Sequence, residues 1–227
     1  MAVLVLRQME KSLLKRFWIG LLTAGVGLLF AGNTAKANDT KKRIVILGDS
    51  ITAGYGLELK EAYPALIRQK LAQAKLPFVV VNAGVSGDTS AGGLRRVAWT
   101  LSKGADILII ALGGNDGLRG ISTDETKKNL LGIIKKARTK NPMIKTLIAG
   151  MQMPANMGPK FTERFKKIFP EIAKASNSRL IPFLIEDVGG DENLNQADGI
   201  HPTAEGQRIV ADNVWKILLP ELTKKES

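Results

Sequence analysis

The chain contains no cysteine and a single histidine, His201, among its 227 residues. Without cysteine, the protein has neither a disulfide framework nor a lipid attached through a cysteine. Chemistry that needs an imidazole base must use His201, because the chain offers no second histidine. Aromatic residues make up 5% of the sequence, which leaves few platforms for stacking on sugar rings and disfavours carbohydrate recognition.

Three sequence signatures of common α/β proteins are also absent. Neither the phosphate loop G-x-x-x-x-G-K-[ST] nor a G-x-G-x-x-G turn opens the first helix, so the usual nucleotide-binding sites are excluded. The G-x-S-x-G elbow of α/β-hydrolases is missing as well. A binding protein with two lobes usually needs a longer chain, so a non-catalytic periplasmic binding protein is the least favoured alternative.

The chain begins with the pattern of an export signal. An apolar run, "FWIGLLTAGVGLLFAG" at residues 17–32, follows the basic stretch 11–16 and precedes "AKA" at residues 35–37. A basic region, a short apolar core and a small-x-small site predict a cleavable secretory signal peptide over residues 1–37. The run is short for a transmembrane helix, and a retained N-terminal anchor is the alternative.

Export places the mature protein, residues 38–227, in the periplasm or outside the cell. A protein without disulfides suits the bacterial periplasm. Met9 makes the tidier start for the signal, although the printed chain begins at Met1, and both starts stay open. We predict that residues 38–227 form a single α/β domain, because their number suits one large domain with a sizeable core.

The sequence is basic, with a formal net charge of +12 at pH 7. Residues 1–37 hold five basic residues and one acidic residue, so residues 38–227 keep a balance of about +8, which attracts anionic phospholipid or nucleic acid. Four lysines indicate a solvated helix face instead, because they lie at helical spacing around apolar residues. These are Lys127, Lys128, Lys135 and Lys136. We predict no nucleic-acid partner, since no nucleic-acid motif is present, and a transient contact with a phospholipid surface stays open.

Short apolar runs alternate with longer amphipathic runs along residues 43–219. The predicted strands are 43–47, 78–82, 107–112, 145–150 and 180–185, and the predicted helices lie near 63–75, 90–102, 124–140, 160–176 and 203–219. Five βα units in series predict a parallel sheet with helices on both faces. In such a sheet the functional crevice lies beyond the carboxyl ends of the strands.

Four polar, glycine-rich stretches lie at that edge of the predicted sheet. They are "GDSIT" at residues 48–52, "NAGVSGDTS" at 82–90, "ALGGNDGLRG" at 111–120 and "DGIHPTAEG" at 198–206. Glycine, aspartate and serine are ordinary turn and cap residues, so each stretch by itself is explained as a turn. Chance turns explain the set poorly, because the stretches follow the first three strands and precede the last helix.

Ser50, His201 and Asp198 form a candidate set for acyl transfer. A serine hydroxyl needs a base to act as a nucleophile at neutral pH, and that base needs an orienting carboxylate. Asp198 lies three residues before His201, so one turn lets its carboxylate accept from one ring nitrogen while the other faces Ser50. A lone histidine is otherwise an ordinary surface or core residue. The Asp-x-x-His spacing at this edge favours the catalytic interpretation.

Acyl transfer also needs donors for the oxyanion that forms. The backbone N–H of Ser50 is one candidate, and that of Gly87 is another, since a residue without Cβ lets the substrate approach the main chain. The side-chain amide of Asn115 is a third candidate. Gly87 and Asn115 have the alternative explanation of turn residues.

These residues resemble the four sequence blocks of the SGNH, or GDSL-type, hydrolases over residues 44–211. The resemblance is closest to a periplasmic branch with thioesterase, lysophospholipase and arylesterase activities, which shares the forms "LGDSITAGYG", "GGNDGLRG" and "MPANMG". It implies a three-layer α/β/α fold with a flavodoxin-like, five-stranded parallel sheet and helices on both faces. The implied roles are Ser50 as nucleophile, His201 as base, Asp198 as its orienter, and Ser50, Gly87 and Asn115 as the oxyanion hole.

The resemblance also implies the reaction. Residues 38–227 would be the catalytic domain of a monomeric serine esterase or thioesterase that hydrolyses small acyl esters or thioesters through an acyl intermediate on Ser50. The family implies no metal ion and no organic cofactor. A carbohydrate O-acyl esterase with the same catalytic residues is the main alternative.

Three methionines crowd one loop, although residues 38–227 hold only four. They are Met151, Met153 and Met157. Unbranched, polarizable side chains adapt to varied apolar ligands, so these residues and Leu118 are candidate contacts for the substrate. Packing of the sheet edge is the alternative for the methionines, because methionine also fills gaps in a core.

Overall fold

The structure is a computed structural model that describes residues 41–224. The strands are β1 (Lys42–Gly48), β2 (Phe78–Gly84), β3 (Ile107–Ala111), β4 (Lys145–Ala149) and β5 (Arg179–Ile181). The helices are α1 (Ser50–Ala53), α2 (Tyr63–Gln73), α3 (Ser90–Thr100), α4 (Gly114–Leu118), α5 (Thr123–Lys140), α6 (Pro159–Ala175) and α7 (Ala204–Thr223), and a 3₁₀ turn covers Ala155–Met157. Of the helices α1–α7, none combines the length and apolar character needed to cross a membrane. The predicted signal and its two possible starts lie outside the described residues.

The five strands form one parallel sheet in the order β2-β1-β3-β4-β5, which confirms the predicted sheet. Residues 44–47 of β1 and 107–111 of β3 are all buried, as expected for strands covered on both faces. The chain leaves β1 for β2 in one direction and then passes β1 to reach β3 on the other side. Right-handed crossovers therefore place α2 and α3 on opposite faces. Helix α7 packs beside α2, whereas α5 packs against α3 and α6.

The strand order reverses around β1, and the carboxyl ends of β1 and β3 mark the crevice of such a sheet. β1 ends at Gly48, directly before Asp49 and Ser50. β3 ends at Ala111, shortly before Asn115 in α4. The fold therefore brings two of the predicted polar stretches to neighbouring strand ends.

The sequence-based prediction was wrong about the last strand. β5 covers Arg179–Ile181 rather than residues 180–185. The next residue, Pro182, has no N–H for a strand ladder, and the chain turns there so that the N–H of Leu184 donates to the carbonyl of Gly150 at 2.9 Å. The prediction also missed α1 and α4, which are too short to show a helical period in the sequence.

Candidate active site

Ser50 is the first residue of α1 and follows β1 after one intervening residue, Asp49. Asp49 caps this helix, because its Oδ1 accepts from the N–H of Ile51 at 3.1 Å. Helix α1 ends after four residues at Gly54, whose φ of +80° is left-handed. Ser50 is only 9% exposed to solvent. A serine is thus held nearly buried at the carboxyl edge of the sheet.

His201 and Asp198 face Ser50 from the loop before α7. Nε2 of His201 lies 2.9 Å from Oγ of Ser50, and Nδ1 lies 2.6 Å from Oδ2 of Asp198. The other carboxylate oxygen of Asp198 accepts the N–H groups of Ile200 at 2.9 Å and of His201 at 3.0 Å. The structure therefore brings together the three residues that the sequence predicted as a set.

These hydrogen bonds decide the protonation pattern of the set. The backbone N–H of His201, followed by its imidazole and by the N–H of Ile200, lowers the pKa of Asp198 to about 2. An ionised carboxylate only accepts hydrogen bonds, so Nδ1 of His201 carries the proton in the neutral ring. Nε2 is then left to accept the proton of the Ser50 hydroxyl, which is the arrangement a general base requires.

The loop that carries His201 is tied to the turn after α1. Nε2 of Gln196 donates to the carbonyls of Tyr55 at 2.8 Å and Pro202 at 3.1 Å. The backbone N–H of Gln196 donates to the carbonyl of His201 at 2.7 Å. The Tyr55 ring lies against the imidazole, with ring centroids 4.5 Å apart and planes inclined by 38°. Sequence reasoning missed both Tyr55 and Gln196, since both lie just outside the four polar stretches from which the site was predicted.

A buried glutamine joins α7 to the nucleophile helix. Gln207 is 1% exposed, its Nε2 donates to the carbonyl of Ile51 at 3.1 Å, and its Oε1 accepts the N–H of Tyr63 at 2.9 Å. Both polar ends of the side chain are therefore paired, as a buried amide requires. This contact fixes α1, at Ile51, against the helix that follows His201.

Gly87 lies in the loop after β2, and Asn115 lies in α4, which follows β3. Gly87 has φ +77°, which strains any residue with a Cβ. Nδ2 of Asn115 donates to the carbonyl of Asp88 at 3.0 Å, and an amide NH₂ has a second N–H for another acceptor. A Cβ at Gly114 would lie 3.4 Å from Oδ2 of Asp49, so the start of α4 is close to the residue that precedes Ser50.

The first turn of α1 leaves the N–H of Ser50 without an intrahelical acceptor. The three predicted oxyanion donors therefore lie in the segments that follow the neighbouring strands β1, β2 and β3.

A buried carboxylate holds the helix that carries Asn115. Asp116 is fully buried and accepts from the backbone N–H of Ser90 at 2.8 Å, from the Ser90 hydroxyl, and from Oγ1 of Thr126 at 3.3 Å. Nδ2 of Asn129 donates to the Ser90 hydroxyl oxygen at 3.1 Å. These bonds join α4 to α3 and α5, which restricts the position of Asn115.

Asp49 is an ionisable residue whose raised pKa the sequence did not indicate. It is 3% exposed, and burial raises its pKa to about 6, although the N–H of Ile51 and the charge of His201 lower it. In the sequence, the only sign of interest in this residue is its place directly before Ser50. The burial that sets its pKa depends on residues distant in the sequence.

The candidate substrate contacts occupy different environments. Met151 is 6% exposed and belongs to the core, and Met153 packs against the core with its sulfur in the space that a Cβ of Gly117 would need. These positions favour the packing interpretation for Met151 and Met153. Leu118 is 45% exposed on α4. Met157 lines an open groove of about 440 Å³ together with Thr123, Gly158, Pro159, Lys160, Phe161 and Arg164.

Four apolar side chains remain exposed on the loops of the site. Tyr55, Val85, Leu118 and Ile200 are between 45% and 52% exposed. Val85 lies two residues before Gly87, and Ile200 directly precedes His201. We call these four residues the apolar rim. Within residues 41–224, no group of three acidic or histidine side chains is arranged to hold a metal ion.

Comparison with known proteins agrees with this geometry. Residues 46–209 match the model of the GDSL-like lipase/acylhydrolase family. The chain is 41% identical over 180 residues to "Esterase TesA" of Pseudomonas aeruginosa, which covers 79% of this chain and 89% of that relative. It is 39% identical over 187 residues to "Thioesterase 1/protease 1/lysophospholipase L1" of Escherichia coli K12, with 82% and 86% covered.

A solved structure extends the likeness to three dimensions. The psychrotrophic esterase EstA from Pseudoalteromonas sp., in a structure inhibited by monoethylphosphonate, superposes with a TM-score of 0.75 at 32% identity, with 81% of this chain and 100% of that chain covered.

Proposed function

The chain belongs to the GDSL-like lipase/acylhydrolase family and is an ester or thioester hydrolase of the SGNH type, and we propose that it works through an acyl intermediate on Ser50. The observation that carries this proposal is the series of hydrogen-bonding contacts from Asp198 through His201 to Ser50, with distances of 2.6 and 2.9 Å. Such a series supplies a nucleophile, its base and the orienter of that base.

In the first half of the proposed reaction, Oγ of Ser50 attacks the carbonyl carbon and its proton passes to Nε2 of His201. The ionised Asp198 stabilises the imidazolium that forms. When the tetrahedral intermediate collapses, Nε2 returns the proton to the leaving alcohol or thiol. In the second half, His201 takes a proton from water, the hydroxide attacks the acyl carbon, and the acid leaves as Ser50 regains its proton.

The negative oxygen of each tetrahedral intermediate needs donors that are already in place. We assign this role to the N–H groups of Ser50 and Gly87 and to the side-chain amide of Asn115. Such fixed donors supply much of the rate enhancement, because they act where charge develops and need no reorganisation. The paired Asp88 carbonyl limits the rotation of the Asn115 amide, which supports the assignment.

The apolar rim supports an apolar acyl or aryl group as the part of the substrate next to the reacting carbonyl. Leu118 belongs to this rim, and Met157 lines an open groove, so we keep a substrate role for these two residues in the proposal. Burying apolar surface of a ligand against such side chains contributes about 25 cal/mol per Å². A small-molecule acyl ester or thioester is therefore the proposed substrate class, with no cofactor in the reaction.

The cellular setting is also a proposal. We propose that residues 1–37 direct export and that the mature chain acts in the periplasm or outside the cell, on the basis of the basic, apolar and small-residue pattern. We also propose that the protein acts as a monomer. The positive balance of residues 38–227 supports a transient contact with anionic phospholipid.

Labelling with a phosphonate ester tests the proposed nucleophile. Peptide mass mapping should place the adduct on Ser50, and Ser50→Ala should lose both labelling and hydrolysis of an aryl ester. Ser86→Ala is the matched control, since Ser86 lies exposed in another loop of the same edge, and it should retain both. An adduct on another serine, formed in step with inactivation, would refute the assignment. A panel of aryl esters, acyl-CoAs, lysophospholipids and acetylated sugars would then separate the substrate classes.

A further inference from the structure

Arg96 lies where the loops of the proposed oxyanion hole meet. It belongs to α3, and its side chain is 20% exposed. Nε donates to Oδ2 of Asp88 at 2.7 Å, Nη1 to the carbonyl of Ala83 at 2.8 Å, and Nη2 to the carbonyl of Gly48 at 2.9 Å. One guanidinium therefore contacts the end of β1, the end of β2 and the loop that follows β2.

Asp88 extends this contact to the oxyanion donors. It directly follows Gly87, and its carbonyl accepts Nδ2 of Asn115 at 3.0 Å. Its second carboxylate oxygen, Oδ1, accepts the N–H of Thr89 at 3.1 Å. A Cβ at Gly92 would collide with Oδ1, so the carboxylate packs directly on the backbone of α3. The loop has little room to shift while these contacts persist.

Only a guanidinium has the shape for these three acceptors. Its five N–H donors lie in one rigid plane, whereas a lysine ammonium is a compact point charge on a flexible stem. The Asp88 carboxylate balances the charge, and the two strand-end carbonyls satisfy further donors, so partial burial of Arg96 is compensated. The backbone of Gly48 lies two residues before Ser50, and Ala83 lies four residues before Gly87.

We propose that Arg96 is a positioning residue for the oxyanion hole, which sets the N–H groups of Ser50 and Gly87 and the amide of Asn115 at their mutual distances. Arg96 acts through Gly48, Ala83 and Asp88 and does not touch the substrate. This proposal rests on the proposed function, because it presupposes the roles of the three donors.

Arg96→Lys should lower kcat about 10²-fold in the hydrolysis of an aryl ester, with KM changed by a factor of about two or less. The reason is that displacements of about 1 Å in positioned groups cost about 10²-fold in rate, and the oxyanion donors act mainly in the transition state. Arg95→Lys is the matched control, because Arg95 is the exposed neighbour on the same helix. It should retain the kcat of the parent enzyme.

A double-mutant cycle separates positioning from a general structural role. If Arg96 acts through the donors, Arg96→Lys should cost less in an Asn115→Ala background than in the parent enzyme, because one of the three donors that it positions is already gone. Affinity for a boronic acid that mimics the tetrahedral intermediate should fall in Arg96→Lys by the same factor as kcat/KM. Asp88→Asn should repeat both effects, since it removes the charge that Nε of Arg96 contacts.

The outcomes distinguish this proposal from the one it rests on. Full activity of Asn115→Ala would refute the assigned oxyanion hole and the positioning role together. Loss of activity in Asn115→Ala with full kcat in Arg96→Lys and Asp88→Asn would refute the positioning role alone. Equal fold-losses for Arg96→Lys in both backgrounds, with unchanged boronic acid affinity of the folded enzyme, would show that Arg96 stabilises the fold without setting the donors.

Discussion

Replacement of Asp49 by asparagine should change how the stability of the protein depends on pH. Asp49 is 3% exposed, and burial raises its pKa from an ordinary 3.8 to about 6. The folded state therefore holds the Asp49 proton more tightly than the unfolded state does. Between pH 4 and pH 6 the free energy of unfolding falls as pH rises, because the unfolded state releases this proton first. Above pH 6 the contribution of Asp49 is constant.

The size of this effect follows from the pKa. One unit of pKa corresponds to about 1.4 kcal/mol, so the change from 3.8 to about 6 corresponds to about 3 kcal/mol. Asparagine keeps an oxygen that can accept the N–H of Ile51 and has no charge to bury. Its extra N–H adds a cost that does not depend on pH. Because the unfolded state is already partly ionised at pH 4, the Asp49→Asn variant should gain about 2–3 kcal/mol relative to the parent between pH 4 and pH 8.

Urea unfolding at several pH values between 4 and 8 measures this gain directly. Asp191→Asn is the matched control, because Oδ1 of Asp191 also accepts the N–H two residues later, Asn193, at 2.8 Å, but the residue is exposed. The control should keep the pH dependence of the parent. A difference between Asp49→Asn and the parent that is the same at pH 4 and pH 8 would refute the argument that burial of this carboxylate costs free energy.

Two further substitutions test the base. Asp198→Asn should lower kcat by about 10⁴-fold at pH 8, since Nδ1 of His201 loses its ionised acceptor and the tautomer is no longer fixed. Steady-state hydrolysis of an aryl ester measures this change. Full activity of the variant would remove Asp198 from the mechanism. Tyr55→Leu should lower kcat/KM by about 3-fold to 10-fold, because a ring contact contributes about 0.5–1.5 kcal/mol. Tyr55→Phe keeps the ring and should match the kcat/KM of the parent enzyme. An equal loss of kcat/KM in both variants would assign the effect to the hydroxyl group of Tyr55.

The proximity of Ser50, Asp198 and His201 was predictable because the signals for it are local. Ser50 follows an apolar strand, and Asp198 precedes His201 by three residues, which is close enough for one turn to pair them. The parallel sheet was predictable for a similar reason, since each strand is a short apolar run between amphipathic helices. The end of β5 was also readable in principle, because Pro182 cannot donate to a strand ladder.

The supporting residues were not predictable because their partners are distant in the sequence. Arg95 and Arg96 are adjacent and chemically alike, and only the packing of α3 against the strand ends distinguishes the exposed residue from the one that contacts Gly48. Gln207 bonds to Ile51 across 156 positions. No periodic pattern in one sequence identifies such pairs, since periodicity reports which face is buried and not what it meets.

The two halves of the site are held by separate sets of bonds. The donor half depends on Arg96, which donates to the carbonyls of Gly48 in β1 and Ala83 in β2, and on Asp116, which accepts the N–H of Ser90 at the start of α3. The base half depends on two glutamines. Gln196 joins the loop of His201 to the turn after α1, and Gln207 joins α7 to α1.

Helix α1 is common to both halves, because Ser50 is the proposed nucleophile and its N–H is a proposed oxyanion donor. A displacement of α1 would therefore alter the proposed proton transfer and the proposed oxyanion hole together. This fits the two side chains that hold Ile51 of α1, since Asp49 accepts its N–H and Gln207 donates to its carbonyl.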